Sequence, residues 1–289
     1  MPNPTTIKHR IKSVRNTRQI TKAMELVSAS KMRRAQERAK LSRDYQTAAY
    51  DLLLRLNGLA DVGSHPLFAH RKVSSRLYLI VTSNSGLAGA YNYNVLKEFT
   101  AGLRTDKENK VTSYVITIGH KGAQFARRLK GVSLLAVYPA FGDQPSANDI
   151  RPILNTLIDE YHDKKIDEAD IIYTVFKSNI SQQATRLNLL PAHIDGQTPK
   201  PSVTAYTNFE PSVEEVLDNA AVRLIEVQIW QALLESLASE HSMRMVAMKS
   251  ATDNANDLID DLTLEFNTAR QAAITQELAE ITNGAEAIK

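Results

Sequence analysis

Residues 212–283 read SVEEVLDNAAVRLIEVQIWQALLESLASEHSMRMVAMKSATDNANDLIDDLTLEFNTARQAAITQELAEITN, with neither glycine nor proline. Stepping alternately by four and three gives Val213, Leu217, Ala220, Leu224, Val227, Gln231, Leu234, Ala238, His241, Met245, Met248, Thr252, Ala255, Ile259, Leu262, Phe266, Ala269 and Ala273. Fifteen of these eighteen positions are apolar, the exceptions being Gln231, His241 and Thr252. A 3/4 alternation held this long is the seam of a coiled coil. At helical rise the stretch predicts a rod of about 105 Å, longer than any small domain can bury, so it must project.

Charge supplies this helix with a partner. Residues 5–57 carry 13 Lys/Arg against 4 Asp/Glu, whereas residues 212–289 carry 5 against 14. The overall charge of +3 therefore hides +9 at one end and −9 at the other. Opposite charge on two terminal helices favours their pairing with each other over self-association. Residues 5–57 also lack glycine and proline, and Ile7, Ile11, Val14, Ile20, Met24, Val27, Leu41, Tyr45, Ala48, Leu52 and Leu56 follow helical spacing. This predicts a first helix capped by Thr5 or Thr6 and ended by Gly58. In its middle, Ser28-Ala29-Ser30-Lys31-Met32-Arg33-Arg34-Ala35-Gln36 is small and strongly basic, readable as a solvated face or as a contact strip for an acidic partner.

Between the helices the texture changes. After a Gly63-Ser64-His65-Pro66 loop, short apolar runs at 77–82, 111–118, 132–137 and 169–176 alternate with helical patterns ending near 103 and spanning 121–129 and 147–162. Continuous apolar strands separated by helices predict a parallel sheet covered on both faces. Residues 186–190 and the proline-rich stretch 191–201 close the unit. The fold expected is α/β plus a long antiparallel coiled coil: helix 1–57, a Rossmann-like α/β domain at 58–211 inserted at the base of the hairpin, and helix 212–289. Ser212 and Glu215 fit a capping box. The second helix should outlast the first by about 28 Å at helical rise.

Composition excludes several functions. There is no cysteine, so disulfides, thiolate metal sites and thiol catalysis are out. No run is long and apolar enough for a membrane span, and the first eighteen residues lack a secretory core. Gly86 and Gly89 lack the third glycine of a dinucleotide loop and the Gly-Lys-Ser/Thr of a phosphate loop, so they read as a tight strand-to-helix turn, as does Gly119-His120-Lys121-Gly122. His241 has no ligand partner at i+4, and no catalytic constellation stands out. No metal or cofactor is expected. Two other classes stay open on these residues: a nucleic-acid-binding scaffold using the basic first helix, and a nucleotide-dependent enzyme built on residues 58–211.

Ile20-Thr21-Lys22-Ala23-Met24 with the Ser28–Gln36 patch resembles the N-terminal signature of the gamma subunits of F-type rotary ATP synthases. Ser239-Glu240-His241, Arg244-Met245, Ala247-Met248-Lys249 and Ala251-Thr252-Asp253-Asn254-Ala255 are similar to the family's second motif. Ile274-Thr275-Gln276-Glu277, Glu280 and Gly284-Ala285 resemble its closing pattern. The loop Gly86-Leu87-Ala88-Gly89-Ala90-Tyr91-Asn92 matches more loosely, lacking a cysteine and a further glycine common there.

The resemblance implies a non-catalytic central shaft that couples ion-driven rotation of a membrane ring to conformational cycling of catalytic subunits. It implies as partners the alpha and beta subunits, the epsilon subunit and the membrane c-ring, with no nucleic acid. The expected location is peripheral, on the cytoplasmic face of a bacterial plasma membrane. Met24, Lys31, Arg33 and Arg34 would meet the catalytic subunits' acidic lever loop. Arg270, Gln271, Thr275 and Glu277 would meet the ring's upper contact loop, and Arg244 belongs to the same interface.

Overall fold

The computed structural model of the chain describes residues 3–57, 65–142, 145–179, 181–193 and 212–286. The expected helix stop at Gly58, the glycine loop at 63–64 and the proline-rich residues 194–201 lie outside the described residues. In chain order the elements are α1 (Pro4–Asn57), β1 (Ser75–Val81), α2 (Tyr91–Glu108), β2 (Thr112–Ile118), α3 (His120–Ala126), β3 (Val132–Tyr138), α4 (Ala147–His162), β4 (Glu168–Phe176), β5 (Gln182–Leu190) and α5 (Val213–Glu286).

The chain divides into two compact units, one of Met1–Ser28 with Arg244–Lys289, the other of Ala29–Met243. In the first unit the two long helices pair along a narrow seam. Ile7 and Ile11 of α1 pack with Leu262 and Ala269 of α5, flanked by Val14 and Phe266. Further along, the Arg18 guanidinium donates to Asn256 at 3.3 Å, and Thr21 and Thr252 share a hydrogen bond of 2.8 Å. Partners descend in α5 as they ascend in α1, so the pair is antiparallel. Among the described residues, none buries the side chains of α5 beyond Ala269 at Ile274, Leu278 and Ile281, which are 49, 59 and 69% exposed.

In the second unit a five-stranded sheet runs in the order β3-β2-β1-β4-β5. The first four strands are mutually parallel and β5 is antiparallel to β4. The sequence-based expectation of a parallel sheet thus holds for four strands and fails at the edge. The connection from β4 to β5 is only residues 177–181, too short for the crossover that a parallel neighbour requires. Alternation along β1 sorts the two faces: Leu77, Leu79 and Val81 join Ile116, Ile118 and Ile171 beneath α4 and α5, while Tyr78 and Ile80 join Val115 and Ile172 beneath α2 and α3.

This makes the first third of α5 a core helix. From 224 to 242 every residue is buried or half-buried, because the sheet covers one side and α1 another. A helix apolar on one stripe needs one neighbour, and one enclosed all round needs several. Ile225, Ile229, Ala232 and Leu233, all off the 3/4 seam, are at most 5% exposed. At the start of α5, Ser212 Oγ accepts the Glu215 N–H at 3.2 Å, one half of the expected capping box. The reciprocal arrangement of side chains occurs at α4, where Asp149 reaches back to the Ser146 N–H at 2.7 Å and to its hydroxyl at 3.0 Å.

Candidate partner interface and a closed crevice

In open α/β sheets, ligands bind at the carboxyl ends of the strands where strand order reverses. Here that point lies between β1 and β4, and α5 occupies it. The Thr174 N–H of β4 donates to Ser236 Oγ at 3.0 Å, and Ser239 Oγ donates to the Thr174 carbonyl at 3.2 Å. What remains beside it is a cavity of about 20 Å³ lined by Val81, Thr82, Tyr91, Ile118, Phe141 and Leu233 among others. That is room for about one water, not for a nucleotide.

The turns at this edge bond to one another instead of opening towards a ligand. Asn84 after β1 donates to the Ala140 carbonyl at 3.0 Å and accepts the Ala140 and His120 N–H groups at 2.9 and 3.3 Å, tying the ends of β1, β2 and β3 together. Asn92 accepts the Ser83 N–H at 3.0 Å. Gly119 has φ of 95°, and a Cβ there would lie 2.1 Å from the Thr82 carbonyl oxygen. Gly119 and Gly122 therefore serve a close strand-to-helix turn, as their spacing suggested, and Gly89 takes a φ of 54°, whereas Gly86 has open space around it.

Titratable groups gather at a second place, under α2. Arg76 pairs with Asp106, with Glu168 at 2.6 Å and with Asp170 at 3.4 Å, while Arg186 pairs with Asp170 at 2.6 Å. Tyr78 and Ser113 donate to Asp106 at 2.8 and 3.0 Å. Burial, seconded by the bond to Asp106, pushes the Tyr78 hydroxyl well above its usual range. Burial also raises Asp170, against the pull of Arg186. Burial acts to lower Arg76, but its contacts with Glu168, Tyr78 and Asp106 together hold it above its ordinary value. With Asp106 fully buried, this network fastens β1, β4, β5 and α2 to one another. Among the described residues no group of three or more His, Asp or Glu is arranged to hold a metal ion. Sequence reasoning missed this network, since its members are scattered from 76 to 186 and share no motif.

The three polar breaks in the α5 seam are all buried. Gln231 donates to Glu235 at 2.8 Å, and Arg43 of α1 donates to the same carboxylate oxygen at 3.1 Å. Burial, and then the Glu235 charge, push the nearby Tyr173 hydroxyl up to about 12. Thr252 meets Thr21 as described, and His241 is 6% exposed.

The residues singled out for partner contact fall on the surface, with one exception. On α1, Arg33 and Arg34 are exposed, Lys31 and Met24 are half-buried, and Arg34 reaches Ser30 Oγ at 3.3 Å. On the uncovered end of α5, Arg270, Gln271, Thr275 and Glu277 are exposed, Thr275 donating to the Gln271 carbonyl at 2.9 Å. Arg244 is 8% exposed and belongs to the interior of the chain.

Residues 3–288 match the family model described as ATP synthase. The chain is 41% identical over 295 residues to an ATP synthase gamma chain of Acidithiobacillus ferrooxidans, strain ATCC 53993 / BNL-5-31, covering 100% of both. It is 40% identical over 291 residues to that of Xylella fastidiosa strain M12, covering 98% of each. Among solved structures, a chain of the Euglena gracilis mitochondrial ATP synthase (OSCP/F1/c-ring, rotational state 3) is similar with a TM-score of 0.68 at 18% identity, over 99% of this chain and 94% of that one. A chain of the central stalk/c-ring of the Tetrahymena thermophila mitochondrial ATP synthase is similar with a TM-score of 0.64 at 24% identity, over 80% and 99%. Full-length identity of this order, joined to paired terminal helices and a mixed sheet, places the chain in the ATP synthase gamma family.

Proposed function

We propose that this subunit couples ion-driven rotation to ATP synthesis and hydrolysis by presenting different faces of its helix pair to the catalytic subunits in turn. The observation that carries this reading is the end of α5. Past Ala269 it continues as a helix with Ile274, Leu278 and Ile281 exposed, an apolar run that only a surrounding partner would cover. Arg270, Gln271, Thr275 and Glu277 lie on the same uncovered segment and would meet the upper part of a ring of alpha and beta subunits. Met24, Lys31, Arg33 and Arg34 on α1 would meet acidic loops of the catalytic subunits. Arg244, being interior, would support that surface by holding α5 in place.

Exposed charge pairs suit such a role. Each is worth about 0–1 kcal/mol, so one can be exchanged for the next as the shaft turns without trapping it. Shaft orientation is then the effector and nucleotide affinity the response, in the sense of reciprocal coupling between sites. The sheet unit would carry the contacts to the epsilon subunit and the membrane c-ring. No helix among the described residues is long and apolar enough to cross a membrane, so attachment to the cytoplasmic face of a bacterial plasma membrane would be through these partners.

The test is charge reversal in the reconstituted complex. Arg33→Glu with Arg34→Glu should lower ATP-driven ion pumping several-fold more than ATP hydrolysis. Pumping and hydrolysis that stay in their original ratio would refute the assignment of this strip.

A further inference from the structure

The Ser239-Glu240-His241 motif has no place in the partner surface just described, since Ser239 and His241 are buried. Ser239 is the middle of three serines, Ser236, Ser239 and Ser242, spaced so that they lie on one helical face and are 1, 0 and 0% exposed. Each bonds to the sheet. Ser236 accepts the Thr174 N–H and Ser239 donates to the Thr174 carbonyl. Ser242 donates to the Asn179 carbonyl at 3.1 Å and accepts from Gln182 Nε2 at 3.2 Å.

The sheet register explains why β4 can accept this. Pairing of β4 with β1 ends at Ile80–Ile172, while pairing with β5 continues through Thr174–Ala184 to Phe176–Gln182. N–H and C=O of one strand residue point the same way, so Thr174 faces the side that β1 has vacated. There the helix stands in for the missing strand, with one hydroxyl accepting and the next donating. Apolar packing between a helix and a sheet tolerates sliding, whereas two opposed hydrogen bonds to the main chain of a single residue fix both position and rotation. Leaving those buried main-chain groups unpaired is costly, so the register is held.

We infer that Ser236, Ser239 and Ser242 form the torque junction of the subunit, positioning residues that lock the shaft helix to the sheet so that neither turns without the other. This rests on the rotary reading above. The established membership of the family requires only that the two parts be joined; the serine row says where rotation passes between them.

Two measurements test it. In the full-length chain, Ser236→Ala should speed hydrogen exchange of the Thr174 amide about tenfold, the loss of one hydrogen bond, while β2 amides, which pair only with β1 and β3, stay as they were. In the reconstituted complex, Ser236→Ala with Ser239→Ala should lower the torsional stiffness of the rotor at least twofold, and the pumping-to-hydrolysis ratio should fall under an opposing ion gradient but not without one. Ser239→Ala alone, which leaves the Thr174 N–H bonded, gives an intermediate stiffness and serves if the double variant folds poorly. Unchanged Thr174 exchange, uniform acceleration across the sheet, or unaltered stiffness would each overturn the junction. If Arg33→Glu/Arg34→Glu still uncouples pumping while the serine variants do not, the rotary reading stands and the junction falls. If neither uncouples, both fall.

Discussion

Replacing Gly119 by alanine should destabilise the sheet unit far more than the same change at Gly131 or Gly86. The added Cβ would lie 2.1 Å from the Thr82 carbonyl oxygen, 2.6 Å from its carbon and 2.8 Å from Oγ1. Thr82 cannot retreat easily. Its N–H and hydroxyl both donate to the Ile118 carbonyl, at 2.8 and 2.9 Å, and its hydroxyl accepts the Gly122 N–H at 2.9 Å. Gly119 is held from the other side by its own N–H bond to the Tyr138 carbonyl at 2.8 Å. Strain of an L-residue at φ of 95° and overpacking at a fixed backbone each cost about 1–3 kcal/mol, giving a combined loss of about 4 kcal/mol.

Two other glycines separate these contributions. Gly131 has φ of 82° but nothing within 4 Å of its Cβ position, so alanine there meets strain alone, about 1–2 kcal/mol. Gly86 has open space and no positive φ, so alanine should be neutral or stabilising by about 0.5 kcal/mol. The single tryptophan, Trp230, packs at the edge of the sheet core, and its fluorescence during urea unfolding reports on this unit. With a slope of about 3 kcal/mol/M, Gly119→Ala should lower the midpoint by about 1.3 M and Gly131→Ala by about 0.5 M. Equal midpoints for those two variants would show that the close approach at Thr82 is no constraint.

Other consequences can be checked alongside. Asp167 Oδ2 accepts both N–H and both hydroxyl bonds of Ser74 and Ser75, at 2.6 to 3.1 Å, and these bonds hold its carboxyl below the usual range although burial acts to raise it. Because the folded value is depressed, the stabilisation exists above the unfolded pKa of about 3.9 and is lost as pH falls through the folded value. Asp167→Asn should therefore cost about 1–2 kcal/mol at pH 7, and its gap from the parent protein should close on acidification below about pH 4. Thr21→Val and Thr252→Val should each cost about 1 kcal/mol by removing the bond between the two hydroxyls, the surviving hydroxyl keeping its own main-chain acceptor at Met248 or Arg18, and the double variant less than the sum; additive losses in a thermal-unfolding cycle would deny the pair. Truncation after Ala273 should leave the Trp230 transition unchanged while weakening binding to the catalytic ring, and a lowered midpoint would contradict the independence of that segment.

The long helices and their seam were legible because a 3.5-residue repeat and opposed charge act along the sequence itself. Even its three polar breaks marked real features: Gln231 and Thr252 are bonded across or along the pair, and His241 is buried. The enclosure of α5 over 224–242 was less visible, since Ile225, Ile229 and Leu233 answer to a sheet distant in sequence. For β5, residues 186–190 were read only as the close of the unit, because Gln182, Gln183 and Thr185 hid the strand's beginning. The five-residue connection after β4 was the available signal that β5 is antiparallel. The exposed partner residues were readable only through likeness to a family, because a basic strip on a helix looks the same whether it faces water or a protein. Ser236, Ser239 and Ser242 gave no signal of their own, because their meaning depends on where β1 stops.

The support given to α5 diminishes along its length: enclosed from 224 to 242, held along one stripe as far as Ala269, and uncovered from Ile274 on. In mechanical terms the helix is a cantilever whose flexural compliance rises toward its C-terminal end. A sideways push on Thr275 or Glu277 would bend the last turns before it strained the packing of Leu262 and Ala269 against Ile7 and Ile11, so uneven loading at the end would be absorbed as elastic deflection. Torque applied where the helix is enclosed meets the stiffest part first. One continuous helix thereby combines a rigid seat with a yielding tip, and the division between them is set by burial alone.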